Sequence, residues 1–228
     1  MAGLISALRI VDKKIGDLKI VINGAGAAGN AIAKLLLAAG AKGIVICDRK
    51  GVISTESSDP AKRELAAITN PQGETGTLHQ VLRGADVFIG VSQANQLGAD
   101  EVRTMAKDPI IFAMANPEPE IWPEEAEAGG ARIIATGRSD FPNQINNVLG
   151  FPGIFKGALA VRATTINHEM KMAAAGALAS LLTDEDLARG KIIPDPFLPT
   201  VADTVAKAVA KAAQESGVAR LKEADCCI

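Results

Sequence analysis

Three glycines in six residues follow a run of β-forming residues, at Gly24, Gly26 and Gly29. A glycine within a regular element costs about 0.5–1 kcal/mol relative to alanine, so three together need a reason. Backbone that lacks side chains can approach a bulky anion closely, and the free N–H groups at a helix start attract negative charge. The spacing Gly-x-Gly-x-x-Gly therefore predicts a phosphate-binding turn between a strand and a helix.

An acidic residue completes this pattern. Asp48 ends the next apolar run, GIVICD, 19 residues after Gly29 (29 to 48). In dinucleotide-binding folds, an acidic residue at about this distance accepts hydrogen bonds from the adenosine ribose. We predict that Gly24, Gly26, Gly29 and Asp48 bind a dinucleotide. The alternative is a glycine-rich turn that serves only helix–strand packing.

Asp48 also bears on the choice of cofactor. A carboxylate about 4 Å from a 2′-phosphate costs on the order of 4 kcal/mol at an effective dielectric constant near 20, which favours NAD over NADP. Arg49 and Lys50 follow at once and offer the opposite charge. They either hold a 2′-phosphate or form a solvated turn, so NAD is predicted and NADP is possible.

Neutral amides follow two later apolar runs. Asn116 comes just after PIIFAM, and the pair Asn146 and Asn147 lies beyond ARIIAT. Ligands bind at the carboxyl ends of parallel strands, and amides can fix substrate carboxylates and hydroxyls because they both donate and accept. We predict that these three residues bind substrate. The alternative is that their side chains stabilise loops by bonding to the backbone.

No catalytic base and no metal site is predicted. His79 and His168 lack a carboxylate or cysteine partner at recognisable spacing, so each is predicted to be a surface or packed residue. The acidic cluster Glu124, Glu125 and Glu127 follows Pro123 and is typical of a first helical turn.

The elements that must position these residues alternate along the chain. Short apolar runs lie at 18–22, 43–48, 86–91, 109–114 and 131–136, separated by helical segments, and no strand is evident at 70–80. This order predicts an α/β fold, a Rossmann-like doubly wound, mostly parallel sheet with helices on both faces and a helical C-terminal extension. The predicted parts are a helical lead-in at 1–17, a dinucleotide-binding core at 18–150 and a helical part at 151–228 that packs on the same domain.

Composition excludes several classes of protein. The 228 residues are 48% hydrophobic with a net charge of −2 and 3% aromatic content, which argues against nucleic-acid binding. No apolar stretch approaches the roughly 20 residues of a membrane span. Cys47, Cys226 and Cys227 are too few and too uneven for a disulfide framework or a zinc site, so a cytoplasmic protein is expected.

Several long motifs carry a family resemblance. They are KIVINGAGAAGNAIAKLLLAAG, AKDPIIFAMANPEPEI and IIATGRSDFPNQINNVLGFPGIFKGAL. Together they resemble the C-terminal, NAD-binding half of a malic enzyme of the shorter microbial type. The resemblance implies oxidative decarboxylation of L-malate to pyruvate and carbon dioxide, with hydride passing to NAD or NADP and with Mg²⁺ or Mn²⁺ as the metal.

The resemblance also implies roles for individual residues. Asn116 and Asn147 fall on positions that contact substrate and nicotinamide, with Asn146 adjacent, and Ser92 lies near the nicotinamide. One departure is the segment QANQLGADE at 93–101, where a proline- or glycine-rich loop is usual. The predicted cofactor-binding set is Gly24, Ala25, Gly26, Ala27, Ala28, Gly29, Asp48, Arg49, Ser92 and Asn116.

The family's acid and base, a tyrosine and a lysine, and its metal-binding carboxylates lie upstream of the point matched by Met1. The chain contains no tyrosine. The resemblance thus implies one half of an enzyme, and this half alone is predicted to be inactive toward malate. Its expected partners are the missing N-terminal domain and, in the complete enzyme, further copies that form a homo-oligomer. The alternatives are the cofactor domain of an amino-acid or shikimate dehydrogenase, and a non-catalytic module that senses NAD.

Overall fold

The computed structural model describes residues 1–221, which divide into two units. The sheet unit comprises residues 11–145, and the helical unit comprises residues 1–10 together with the chain from Asn146 onward. The domain boundaries predicted from the sequence, between residues 17 and 18 and between residues 150 and 151, stay a prediction. A test would be whether the predicted parts fold separately. Cys226 and Cys227 lie outside the described residues.

The sheet unit is built on six strands in the order β3-β2-β1-β4-β5-β6. All neighbouring strands are parallel except β3, which forms an antiparallel hairpin with β2. The predicted parallel sheet is therefore confirmed. The strands are β1 (Lys19–Asn23), β2 (Gly43–Asp48), β3 (Gly51–Val52), β4 (Val87–Gly90), β5 (Ile110–Ala113) and β6 (Ile133–Thr136).

Both faces of the sheet are buried, which is why its strands read as continuous apolar runs. Val21 and Phe88 point into a core that also contains Leu78, Val102 and Ala126, contributed by helices. Ile22 lies on the opposite face, near Gly29 of α2. Helix α1 (Ala2–Val11) belongs to the helical unit except for its last residue. The helices of the sheet unit are α2 (Ala27–Ala38), α3 (Pro60–Ile68), α4 (Leu78–Val81), α5 (Ala99–Arg103) and α6 (Pro123–Ala128).

Local sequence signals account for several helix ends. Gly40 follows α2 with φ +96°, a left-handed conformation that glycine adopts without strain. Asp59 caps α3, because its side chain accepts a hydrogen bond from the Ala61 N–H and Pro60 takes the first helical position. The short strand β3 was not predicted, since two residues, one of them glycine, carry no alternating apolar pattern.

The helical unit contains α7 (Phe151–Ala160), α8 (His168–Ser180), α9 (Asp184–Ala188) and α10 (Val201–Glu215). Gly153 and Gly157 lie where α7 crosses α10. A β-carbon at Gly153 would lie 2.5 Å from Cβ of Val205, and one at Gly157 would overlap the carbonyl oxygen of Ala206. The two helices therefore approach closely because glycine faces the contact. No described helix is long and apolar enough to cross a membrane.

Candidate functional site

A cleft of about 630 Å³ opens at the carboxyl edge of the sheet, within the sheet unit. The ends of β1, β2 and β4 meet there, together with the starts of α3 and α4. Since the strand order reverses between β1 and β4, the cleft lies at the switch point where doubly wound sheets bind ligands. Its lining residues are Asn23, Gly24, Ala25, Gly26, Asp48, Arg49, Lys50, Gly51, Asp59, Lys62, Thr77, Leu78, His79, Val91, Ser92, Gln93 and Gln96.

The glycine turn has three distinct geometries. Gly24 has φ +127°, and a β-carbon there would lie 2.7 Å from the Val91 carbonyl oxygen, so only glycine fits. Gly26 has no heavy atom within 4 Å of its β-carbon position, which leaves open space on the cleft side. Gly29 is buried against the carbonyl group of Gly24, which a side chain would overlap. The turn thus combines a tight bend, open backbone and close helix–strand packing.

Three predicted residues of this segment do not line the cleft. Ala27 and Ala28 are exposed in the first turn of α2, and Gly29 lies behind the turn. The cleft is lined instead by Gly24, Ala25 and Gly26. The first N–H groups of α2 follow directly from Gly26, its N-terminal cap residue, so the turn presents free backbone donors.

Asp48 ends β2 at the rim of the cleft and forms an ion pair with Lys62 of α3, at 2.5 Å between Oδ2 and Nζ. Its other oxygen accepts a hydrogen bond of 2.8 Å from the Lys50 N–H. Burial raises the pKa of Asp48, but the bonds to Lys62 and Lys50 outweigh it, so the pKa lies below its ordinary value. Asp48 is therefore an ionised carboxylate whose charge is partly balanced by Lys62, and not an unpaired one.

The remaining charges at this rim are mostly positive. Arg49 and Lys50 are exposed and line the cleft, and Asp59 is the other lining carboxylate. With Lys62, three cations face two carboxylates. Lys62 was not predicted as a site residue, because it lies in an ordinary helical pattern and meets Asp48 only through folding.

Buried polar side chains support the floor of the cleft. Asn23 ends β1, is 5% exposed, and donates from Nδ2 to Oγ of Ser92 at 2.8 Å. The Ser92 N–H donates to the carboxylate of Glu120 at 2.9 Å, and the Ala115 N–H donates to the other oxygen of that carboxylate at 2.9 Å. Burial raises the pKa of Glu120 above its ordinary value, although these backbone bonds oppose the shift.

This network connects the two loops that carry the predicted residues Ser92 and Asn116. Ser92 follows β4 and lines the cleft, whereas Asn116 follows β5, is exposed and is not a lining residue. Asn116 adjoins Ala115, so both loops meet at Glu120. Glu120 was missed in the sequence because a glutamate after Asn-Pro resembles a surface loop residue, although it is fully buried.

Asn146 and Asn147 belong to the helical unit. The Asn146 side chain accepts from the Val148 N–H at 3.0 Å and so caps a short 3₁₀ turn at Asn147–Leu149. This is the loop-stabilising bond weighed as the alternative to a substrate contact. Asn147 is exposed, and its carbonyl accepts from the Gly150 N–H at 3.0 Å.

The other titratable residues take structural positions. His79 is exposed at the cleft and lies 3.4 Å from Glu101, a carboxylate neighbour that spacing did not reveal. Glu124 and Glu125 form the first turn of α6, as predicted. No three His, Cys, Asp or Glu side chains within residues 1–221 are grouped to hold a metal ion, so this part of the chain does not fit one.

The cleft can therefore bind an elongated anionic ligand. Backbone N–H groups and open space at Gly26 suit a pyrophosphate, Asp48 can accept hydrogen bonds from a ribose, and the cations at the rim balance phosphate charge. Among the described lining residues, no carboxylate or histidine is both buried and free to take a proton from a substrate. The geometry of the described cleft is thus suited to binding and orienting such a ligand.

Comparison with known proteins names the family. The family model described as malic enzyme, NAD binding domain, matches residues 1–214. The bifunctional malic/malolactic enzyme of Bacillus subtilis is 56% identical over 97% of this chain and 55% of its own length. An NADP-dependent malic enzyme of Rhizobium meliloti is 48% identical over 96% of this chain and 31% of its own.

A solved structure agrees with the sequence relatives. The NAD-dependent malic enzyme of Thermotoga maritima superposes with a TM-score of 0.87 at 45% identity, covering 92% of this chain and 55% of that one. The chain thus spans about half the length of the first of these relatives, and the Rossmann-like fold is confirmed. The family model and the sequence and structural relatives agree: the chain belongs to the malic enzyme NAD-binding domain family.

Proposed function

We propose that the cleft binds NAD or NADP, with the pyrophosphate at Gly24, Ala25 and Gly26 and the adenosine ribose at Asp48. The open space at Gly26 beside the start of α2 is the observation that carries the proposal. A bound nicotinamide cofactor supplies a hydride acceptor. Arg49 adds positive charge at the rim, and Ala27, Ala28 and Gly29 shape the helix start behind the phosphates.

We further propose that the domain serves oxidative decarboxylation of L-malate to pyruvate and carbon dioxide in a complete malic enzyme. Asn116 and Asn147 are exposed amides that can orient a carboxylate or hydroxyl group, and Asn146 holds the turn that presents Asn147. None of the three can take a proton. The base and any Mg²⁺ or Mn²⁺ site are therefore assigned to the rest of such an enzyme.

An exposed apolar face on α7 is evidence for a partner that packs on the helical unit. Phe151, Phe155 and Leu159 follow one side of α7 at helical spacing and are 56%, 48% and 73% exposed. Contiguous exposed apolar side chains of this kind mark interaction surfaces. Because the Bacillus subtilis relative is nearly twice as long as this chain, we propose that the remaining domain of such an enzyme covers this face. Assembly of the complete enzyme as a homo-oligomer in the cytoplasm completes the proposal.

The binding proposal is tested by titrating the 228-residue chain with NADH and following its fluorescence. Saturable binding that NAD or NADP displaces is the expected result. If NADH shows no saturable binding at millimolar concentration, the proposal fails.

A second candidate is a non-catalytic module that senses the NADH/NAD ratio, and it is favoured because no described carboxylate or histidine that lines the cleft is both buried and unpaired. Adding the remaining malic enzyme domain as a separate polypeptide decides between the two. Malate-dependent NADH formation in the mixture supports the enzyme. Binding of NADH without any turnover in a verified complex supports the sensor. The alternative that this chain is the cofactor domain of an amino-acid or shikimate dehydrogenase is set aside, because the chain belongs to the malic enzyme family.

A further inference from the structure

Glu120 is a fully buried carboxylate in the sheet unit, and no described lysine, arginine or histidine forms an ion pair with it. A buried carboxylate is costly unless hydrogen bonds satisfy it. Both of its oxygens are used: one accepts from the Ser92 N–H and the other from the Ala115 N–H, each at 2.9 Å. Its charge is therefore stabilised by backbone amides, chiefly those of Ser92 and Ala115.

Those two amides belong to different loops. Ser92 is in the loop after β4, and Ala115 precedes Asn116 in the loop after β5. The Glu120 carbonyl also accepts from the Gln96 and Leu97 N–H groups, at 2.7 and 3.0 Å, which binds the far end of the β4 loop. One residue thus ties together both loops at the carboxyl edge.

The surrounding chain is shaped to admit this carboxylate. A β-carbon on Gly90, the last residue of β4, would overlap the Glu120 carboxyl group, so glycine makes the room. Asn23 extends the network to β1 by donating to Oγ of Ser92. The ends of the three central strands are therefore linked through Glu120 and Ser92.

The strand order places these loops relative to a dinucleotide. If the ribose of the adenosine lies at Asp48 after β2 and the pyrophosphate lies at the turn after β1, the nicotinamide half continues toward β4 and β5. We propose that Glu120 is a positioning residue that sets the Ser92 and Asn116 loops against the nicotinamide half of the cofactor. This inference rests on the proposed cofactor binding.

The variant Glu120→Gln tests it with little change in shape. The amide side chain keeps one accepting oxygen but replaces the other with a donor, so one of the two backbone N–H groups faces a second donor. Glu118→Gln is the matched control, because Glu118 is exposed and, within the described part of the chain, accepts a hydrogen bond from the Asn95 side chain at 3.2 Å rather than from the loop amides.

Two ligands separate positioning from general damage. ADP-ribose has the adenosine and pyrophosphate of the cofactor but no nicotinamide. Calorimetric titration of Glu120→Gln should show about tenfold weaker NADH binding, equal to about 1.4 kcal/mol, with ADP-ribose binding within about twofold of the unmutated chain. Glu118→Gln should bind both ligands normally.

Other outcomes overturn the inference. Equal weakening of both ligands makes Glu120 a structural residue only, and unchanged binding of both makes the loops independent of it. If the unmutated chain binds neither ligand, the proposed function fails first, which separates the two failures.

A measurement without mutation covers the case in which Glu120→Gln does not fold. Amide hydrogen exchange at Ser92 and Ala115 should be slow in the free chain, and NADH should slow both amides further while ADP-ribose leaves them unchanged. Rapid exchange at either amide, or an equal response to both ligands, overturns the inference.

Discussion

Gly26 has φ −86° and ψ −165°, an ordinary extended conformation that any residue can adopt. The variant Gly26→Val should therefore stay folded while its side chain fills the space proposed for the pyrophosphate. We expect NADH binding to weaken at least about a hundredfold, or about 2.7 kcal/mol, measured by calorimetric titration. Gly176→Val is the control, because Gly176 is exposed in α8 and also has open space around it. Normal NADH binding by folded Gly26→Val would reduce the turn to a packing element.

We expect the ion pair between Asp48 and Lys62 to determine whether the cleft accepts the 2′-phosphate of NADP. The unmutated chain should bind NAD more tightly than NADP, and Asp48→Ala should narrow the difference. Lys62→Met leaves the Asp48 carboxylate without its ammonium partner, so NADP binding should fall about tenfold relative to NAD binding. Lys34→Met serves as control, because Lys34 pairs with Glu64 on the exposed side of α2, at 3.1 Å. Tighter binding of NADP than NAD by the unmutated chain would contradict the assignment of Asp48.

Cys47 precedes Asp48 and is completely buried. Burial first, and then the charges of Asp48 and Glu74, raise the pKa of the thiol from 9.0 to about 12. The folded chain should therefore leave Cys47 unalkylated by iodoacetamide at pH 8, whereas the unfolded chain should react. Because the folded state keeps the proton to higher pH, this group lowers stability progressively between pH 9 and about 12. Peptide mass mapping that finds rapid native labelling at Cys47 would contradict this picture.

At the scale of elements, the contact between α7 and α10 depends on glycine. Gly157→Ala places a methyl group against the Ala206 carbonyl and 2.9 Å from Cβ of Val209. The helices must separate or shift, so we expect a loss of about 1–3 kcal/mol in the free energy of unfolding. Gly176→Ala, in open space on α8, should instead gain up to about 1 kcal/mol from helix propensity. Urea denaturation of both variants measures the difference in the free energy of unfolding. Equal values for the two variants would show that the contact between α7 and α10 accommodates the methyl group without cost.

Element positions were largely readable because buried parallel strands and capped helices leave local signals. The runs IIF and IIA of β5 and β6, Asp59 before Pro60, and Gly40 after α2 each occur where the structure has the corresponding element or end. The two-residue strand β3 was not readable, since it exists only through pairing with the end of β2. Its formation is a consequence of the turn after Asp48.

At the scale of the whole molecule, we predict that this chain binds the dinucleotide yet does not oxidise malate alone. Proton transfer by a positioned group is typically worth about 10²–10⁴-fold, and a metal stabilises the charge that develops on the substrate oxygen. Among the described residues that line the cleft, no carboxylate or histidine is both buried and unpaired, and no three described His, Cys, Asp or Glu side chains are grouped to hold a metal ion. Malate, NAD and Mn²⁺ should give no NADH absorbance with the purified chain. Steady malate-dependent production would contradict the prediction, and His168 and Lys156 would be the first residues to substitute.

The sequence by itself determined the parallel sheet, the glycine turn, the acidic end of β2 and the family, because each depends on residues that are neighbours along the chain. The tertiary structure decided what surrounds them. Lys62 of α3 pairs with Asp48 at the end of β2, and Glu120 joins the loops after β4 and β5. The Asn146 side chain caps the 3₁₀ turn that follows it. These partners are set by how strands and helices pack in space, and such packing leaves no periodic or spaced signal in the chain.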